Sequence, residues 1–186
     1  MSMHTLHSLN RLVWTALLAA SVAVGAFLIV PMAPVPISLQ PFFIMLAGFI
    51  LGPRAGAACL LLYVAGGTIG LPIFAGGKSG LAHLMGPTGG YLIGFIGTAA
   101  ICGFATRRSL TRPAPPLSWT RGALFGLGGL ASAYVLGLLW LIVRLEIGLW
   151  KALAIGFAPF FPTDIVKLAL AVAIYRYLHR FNLLPK

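Results

Sequence analysis

The residues best suited to chemistry in this sequence are Asp164 and Lys167, which lie three positions apart within the apolar segment 152–178. Residues at this spacing share one face of a helix, so the carboxylate and the ammonium group are predicted to lie close together. Charges at membrane depth are costly and are usually functional. The pair suits a ligand that has N–H donors and a carboxylate or carbonyl group. An ion pair that only fixes this helix to its neighbours is the alternative, although such a pair adds little net stability.

A second candidate region is the glycine-rich segment 66–91, in which nine of 26 residues are glycine. It also carries more apolar side chains than a disordered linker would hold: Leu71, Ile73, Phe74, Leu81, Leu84 and Met85. This mixture predicts a pocket wall or lid, and a re-entrant loop that only fills space is the alternative. Gly77-Lys78-Ser79 does not fit a phosphate-binding loop, because Pro72 stands where that motif requires its first glycine.

Two further polar residues stand near these segments. Gln40 enters the second apolar run, where it could bind a ligand or satisfy nearby backbone groups. His83 could contact a ligand, but a lone loop histidine is more often solvated. Cys59 and Cys102 lie within apolar runs without metal-ligand spacing, which indicates inert thiols and no metal or cofactor site.

The composition indicates that these residues lie in a membrane protein. Hydrophobic residues make up 60% of the chain and charged residues 8%, and the mean hydropathy is +1.00. The net charge of +11 does not indicate nucleic-acid binding, because the basic residues flank apolar runs instead of alternating with aromatic residues. The first apolar run is too long for a cleaved leader and lacks an A-x-A site, so it is predicted to remain in the mature protein.

The apolar runs predict an all-α, polytopic protein whose residues 1–186 form a single membrane domain. The glycine-rich segment is predicted to lie at membrane depth between the third and fourth helices. A turn at Gly52-Pro53-Arg54 keeps Arg54 away from mid-membrane, and Thr163 is predicted to cap a helix that restarts after Pro162. The six predicted spans cover residues 12–30, 38–51, 55–66, 91–106, 122–143 and 152–178.

The basic residues predict that both termini are cytoplasmic. With six spans, nine basic residues fall on the side of the termini: Arg11, Arg54, Arg107, Arg108, Arg112, Arg121, Arg176, Arg180 and Lys186. Three fall on the other side, namely Lys78, Arg144 and Lys151. The outer side then receives both the proline-rich first loop and the glycine-rich segment, so the ligand cavity is predicted there.

Five motifs resemble the BioY family of biotin transporters, over about residues 12–178. They are MAPVPISLQP at 32–41, LGPRAG at 51–56, GLPIFAGG at 70–77, GPTGGYL at 86–92 and PFFPTDIVK at 159–167. The resemblance implies a substrate-binding (S) component of an energy-coupling factor transporter, a six-helix protein of the bacterial cytoplasmic (inner) membrane that binds biotin with high affinity. It implies that Asp164 and Lys167 contribute to biotin binding. Tyr91, Gln40, Phe74 and Gly89 are further candidate contacts, and the segment before the fourth helix is expected to close over the vitamin.

The resemblance also implies partners. The first helix of the family docks a transmembrane coupling subunit, which works with ATPase subunits. Small residues at four-residue spacing let helices approach closely, so this contact is expected to use Ala16, Ala19, Ala20 and Ala23. Other stripes, such as Gly90/Gly94 and Gly129/Ala133/Gly137, are expected to pack within the chain.

Three rival functions remain open at this stage. One is an S component for another vitamin, and another is a passive channel. A membrane enzyme is the third, but the interior offers one carboxylate and no catalytic dyad with a nearby histidine. The sequence therefore predicts a transport protein that is not an enzyme.

Overall fold

The computed structural model describes residues 3–106 and 115–184, most of which are helical. In the described part of the chain the longer helices are α1 (Met3–Phe27), α2 (Gln40–Leu51), α3 (Pro53–Thr68), α5 (Gly89–Thr106), α6 (Trp119–Leu145) and α8 (Phe161–Arg180). Two shorter helices are α4 (Leu81–Leu84) and α7 (Leu149–Gly156), and two short strands are β1 (Ile29–Val30) and β2 (Ile37–Ser38). Arg107, Arg108, Arg112 and Lys186, which the orientation argument uses, lie outside the described residues.

The proline-rich first loop folds back onto the end of α1. Strands β1 and β2 pair antiparallel, and the backbone N–H of Leu39 donates to the carbonyl groups of Gly25 and Leu28. This short pairing is a local exception to the all-α prediction, which the mostly helical structure of the described residues supports. Helix α1 ends at Phe27, three residues before the end of the first predicted span.

Helix α2 lies at the centre of the molecule, where it packs against α1, α3, α5 and α8. Ten of its twelve residues are buried, which is why its sequence is apolar on every side. As predicted, the chain breaks between α2 and α3. Gly52 adopts φ 81°, which glycine reaches without steric cost, and Pro53 starts the next helix.

Helices α5 and α6 form the closest helix pair. A Cβ atom added to Gly94 would lie 2.6 Å from the Cα of Ala133, so only glycine fits at this crossing. The Thr98 hydroxyl donates to the carbonyl of Gly129 on α6 at 2.8 Å. The small-residue stripes of both helices therefore pack within the chain, as expected.

The last predicted span, 152–178, is two helices in the structure. Helices α7 and α8 meet at a bend of 49° and are separated by residues 157–160. Proline is accommodated at Pro162 because it lies in the first turn of α8, where no intrahelical N–H donor is required. The prediction that Thr163 caps this helix is wrong. Helix α8 begins at Phe161, and the Thr163 hydroxyl donates to the carbonyl of Phe160 instead of accepting a backbone N–H.

Within the described residues, two helices are long and apolar enough to cross a membrane, namely α5 and α6. The bent pair α7–α8 adds a third if it is counted as one span. The apolar part of α1 (Leu12–Phe27) and α2 are shorter apolar helices.

Candidate functional site

A cavity of about 60 Å³ lies where the two predicted loops meet the helices. The first loop contributes Val35, Pro36 and Ser38 to its wall, and the glycine-rich segment contributes Ala75, His83 and Thr88. The remaining wall comes from α2, α5, α6, α8 and the α7–α8 break, through Gln40, Pro41, Tyr91, Leu92, Phe95, Thr98, Leu130, Ala133, Tyr134, Phe160, Asp164 and Lys167. The structure thus brings together both loops and the charged pair.

Asp164 and Lys167 form a buried ion pair in the wall of this cavity. The Lys167 Nζ and Asp164 Oδ1 atoms are 2.7 Å apart, and the two residues are 7% and 5% exposed. Their spacing on α8 brings them together, as the sequence predicts. Nζ also lies 3.4 Å from the Thr163 hydroxyl. The pair therefore presents an acceptor and a donor side by side to the cavity.

Tyr134 is a site residue that the sequence interpretation missed. Its hydroxyl donates to Asp164 Oδ2 at 2.7 Å, and its ring lies 4.8 Å from that of Phe157 with an interplanar angle of 72°. It stands beside Ala133 in the small-residue stripe of α6. The sequence does carry a signal for Tyr134. A tyrosine in a stripe of small residues is buried when the helix packs, and its hydroxyl then needs a hydrogen-bond partner.

Gln40 belongs to a chain of hydrogen bonds that leads from the cavity to the glycine-rich segment. Its Nε2 donates to the Tyr63 hydroxyl at 2.7 Å, and that hydroxyl donates to the Ile73 carbonyl at 2.8 Å. The Ser38 hydroxyl donates to Oε1 of Gln40 at 3.2 Å. Sequence reasoning missed Tyr63, although it lies within an apolar helix where a buried hydroxyl requires a partner.

A second attachment holds the glycine-rich segment to α6. The Trp140 indole N–H donates to the Gly86 carbonyl at 2.8 Å. Side chains of long helices therefore hold the segment at Ile73 and Gly86, and the backbone N–H of Gly76 also donates to the Ala26 carbonyl of α1 at 3.1 Å. The segment contributes Ala75, His83 and Thr88 to the cavity wall between and beside these attachments.

Tyr91 lines the cavity with its ring and uses its hydroxyl elsewhere. The hydroxyl donates to the carbonyl of Gly156 at 2.8 Å. Gly156 ends α7, where carbonyl groups lack an intrahelical donor. Tyr91 thus joins the cavity wall to the break between α7 and α8.

Phe74 and Gly89, two of the predicted binding residues, do not line the cavity. Phe74 is fully buried behind the wall, with its ring 5.8 Å from Tyr63 and 5.3 Å from His83, while the adjacent Ala75 faces the cavity. Gly89 begins α5 where a Cβ atom would overlap the Leu84 carbonyl. Both residues support the wall by packing, which spacing in the sequence could not distinguish from contact with a ligand.

His83 lies in the cavity wall, although the sequence favoured a solvated loop histidine. Its Nε2 is 3.3 Å from the Thr88 hydroxyl. Partial burial, together with the positive charge of Lys78, lowers the pKa of His83. The ring is therefore neutral near pH 7, with one nitrogen that donates and one that accepts a hydrogen bond.

The alanines of α1 divide between two faces. Ala16 and Ala20 are exposed, whereas Ala19 and Ala23 are partly buried and pack against the core. Of the four residues expected at a subunit contact, only Ala16 and Ala20 lie on a free face of this structure. No cluster of three or more metal-binding side chains occurs in the part of the chain that the structure describes.

Comparison with known proteins identifies a family and a fold that this chain resembles. The model of the BioY family matches residues 2–183. The probable biotin transporter BioY of Pyrococcus horikoshii is 42% identical over 159 residues, which cover 86% of this chain and 90% of that protein. The biotin transporter BioY of Thermotoga maritima is 36% identical over 166 residues, covering 89% and 94%. A crystal structure of the S-component for biotin from an ECF-type ABC transporter superposes with a TM-score of 0.82 at 30% identity, covering all of both chains.

Proposed function

The chain belongs to the BioY family, and on that premise we propose that it binds biotin with high affinity and takes it up across a membrane as the S component of an energy-coupling factor transporter. The family consists of transporters, so the prediction that the chain is not an enzyme is confirmed. Apolar helices and transporter relatives identify a multi-pass membrane protein. The observation that carries the proposal is the buried Asp164–Lys167 pair in the cavity wall.

The pair matches one end of biotin. The ureido ring has N–H groups beside a carbonyl, whereas the carboxylate lies at the far end of the side chain. Because Lys167 Nζ and Asp164 Oδ1 are only 2.7 Å apart, the ammonium group and the carboxylate contact the same end of the ligand. Asp164 accepts a ureido N–H and Lys167 donates to the neighbouring carbonyl, which satisfies both buried charges. Of the two ligand groups that the sequence analysis left open beside the N–H donors, a carboxylate or a carbonyl, this arrangement uses the carbonyl.

The remaining wall suits the apolar rings and side chain of biotin. Leu92, Phe95, Leu130 and Phe160 supply apolar surface, and Tyr91 adds an aromatic face. Pockets for small molecules typically have volumes of about 300–1,000 Å³, so a cavity of about 60 Å³ has to widen to admit the ligand. The glycine-rich segment would then move aside and close again, with Phe74 and Gly89 supporting it from behind.

The proposed membrane arrangement has six spans in a single domain of residues 1–186. They are α1, α2, α3, α5, α6 and the bent pair α7–α8. Helices α2 and α3 have 12 and 16 residues and reach only about 18–24 Å, less than a core of about 30 Å. The junction between α2 and α3 is covered, since Leu51 and Gly52 are buried, whereas Ile69 at the other end of α3 is exposed. The excess of basic residues near the termini supports cytoplasmic ends and a site on the outer side of the cytoplasmic membrane.

The proposed partners are a transmembrane coupling subunit and ATPase subunits. Ala16 and Ala20 form a small-residue stripe on the exposed face of α1, which suits close helix packing. We expect Ala20→Leu to reduce recovery of the coupling subunit by co-purification while biotin binding persists. Ala131→Leu, at an exposed alanine of α6, is the matched control. Equal recovery with both variants would remove α1 from the contact.

Isothermal titration of the purified protein with biotin tests the proposed function. We expect saturable binding at one site, with no competition from thiamine or riboflavin. Competition by either vitamin would indicate a different substrate, and conductance without saturable binding would indicate a channel. Replacing the biotin carboxylate by an amide tests the orientation: the affinity should change little if the pair holds the ureido end, and should collapse if Lys167 holds the carboxylate.

A further inference from the structure

Asp164 accepts hydrogen bonds from two different helices. Lys167, on the same helix, bonds to Oδ1, and Tyr134, on α6, bonds to Oδ2, both at 2.7 Å. The bond between Lys167 and Asp164 lies within α8, so it does not fix these side chains relative to another helix. The bond from Tyr134 is therefore the one that fixes the carboxylate relative to another helix and to the cavity wall.

Tyr134 is itself held firmly. Its ring packs edge to face against Phe157 at 4.8 Å, in the break between α7 and α8. Its neighbour Ala133 lies at the close crossing with Gly94 of α5, where the two backbones leave no room for adjustment. Tyr134 is 8% exposed, so little of its side chain is accessible to solvent. These contacts set the position of the hydroxyl before any ligand arrives.

We propose that Tyr134 is a positioning residue for ligand recognition, an inference that rests on the proposed function. By occupying Oδ2, its hydroxyl fixes the rotation of the Asp164 carboxylate and so presents a fixed acceptor to the ureido N–H. Binding is tighter when such an acceptor is oriented in advance, because the ligand does not have to order it. Tyr134 acts through Asp164 and not through a contact of its own with biotin.

The test measures biotin affinity by titration calorimetry for Tyr134→Phe. We expect about tenfold weaker binding, equivalent to about 1.4 kcal/mol. Tyr175→Phe is the matched control, because it also removes a buried hydroxyl, whose bond goes to the Pro115 carbonyl. This control should bind biotin like the unsubstituted protein, even if both variants lose similar thermal stability.

A double-mutant cycle separates positioning from a merely structural role or a direct ligand contact. In the Asp164→Asn variant an NH2 group, which cannot accept a hydrogen bond, replaces one of the two oxygens, so the side chain cannot keep both the bond from Lys167 to Oδ1 and the bond from Tyr134 to Oδ2. Adding Tyr134→Phe to that variant should then change the affinity by less than about twofold. The same tenfold loss in both backgrounds would overturn the proposal, as would undiminished binding by Tyr134→Phe alone. If the unsubstituted protein binds no biotin, the proposed function fails first and this inference fails with it.

Discussion

Helices α5 and α6 differ from helices α7 and α8 in continuity, packing and charge. Helices α5 and α6, the unbroken pair, are each continuous. They pack so closely that a Cβ atom added to Gly94 would lie 2.6 Å from the Cα atom of Ala133. The second pair is interrupted at residues 157–160 and bends by 49°. It carries the only buried ion pair of the described residues, Asp164–Lys167.

The difference shows how a small membrane protein can divide structural and chemical tasks. The unbroken pair holds two tyrosines whose hydroxyls bond to the broken pair: Tyr91 to the Gly156 carbonyl and Tyr134 to Asp164. The broken pair has two acceptors, the Gly156 carbonyl and Asp164 Oδ2, whose donors come from α5 and α6. We infer that α5 and α6 position the site and that α7 and α8 supply its chemistry.

The largest loss of stability is expected from a substitution that forces α5 and α6 apart. Gly94→Ala should lower the free energy of unfolding by about 3 kcal/mol, because the new methyl group meets backbone that cannot move. Gly128→Ala on α6 is the control, since its methyl group would lie 3.4 Å from Ile101, an ordinary contact. Thermal unfolding in detergent measures both. Equal stabilities would show that the α5–α6 crossing is not rigid.

A change in the broken pair should affect binding more than folding. Asp164→Asn removes a charged acceptor and should weaken biotin binding by about 1–3 kcal/mol, measured by titration calorimetry. Glu146→Gln alters the other acidic residue of the chain, which is exposed at the end of α6, and should leave binding unchanged. If a folded Asp164→Asn variant keeps full affinity, the ion pair has only a structural role.

The connection between the two pairs is tested by Tyr91→Phe. Losing the bond to Gly156 leaves a helix-terminal carbonyl without its donor and should lower the free energy of unfolding by about 1 kcal/mol. Tyr177→Phe removes a hydroxyl from an exposed tyrosine of α8 and should have no measurable effect on the unfolding temperature. If Tyr91→Phe also leaves the unfolding temperature unchanged, packing alone holds the break between α7 and α8.

The smallest effect is expected from a third region, the glycine-rich segment. Because the pKa of His83 is lowered in the folded protein, the unfolded chain takes up a proton first, near the ordinary value of about 6.5. Stability should therefore fall as the pH drops below that value. In His83→Gln the unfolding temperature should decline less between about pH 7 and pH 5. An identical decline in both proteins would assign the pH dependence to other groups.

Local signals determined much of this protein from the sequence. Low charge and long apolar runs required helices in a membrane, since lipid cannot hydrogen-bond to backbone groups. Gly52-Pro53 determined the break between α2 and α3, and the three-residue spacing determined that Asp164 and Lys167 meet, because both follow from helix geometry. The order of five motifs was enough to assign the family.

Tertiary structure alone decided which partners these residues meet. Tyr134 and Tyr63 are separated in sequence from Asp164 and Gln40 by 30 and 23 residues, so no local pattern links them. Phe74 and Gly89 lie in a segment that contributes to the cavity wall but do not line the cavity themselves, because the side of a loop that faces a pocket depends on what packs against it. The alanines of α1 show the same dependence on packing. Their four-residue spacing is evident in the sequence, whereas the core contacts of Ala19 and Ala23 form only when α1 packs against its neighbours.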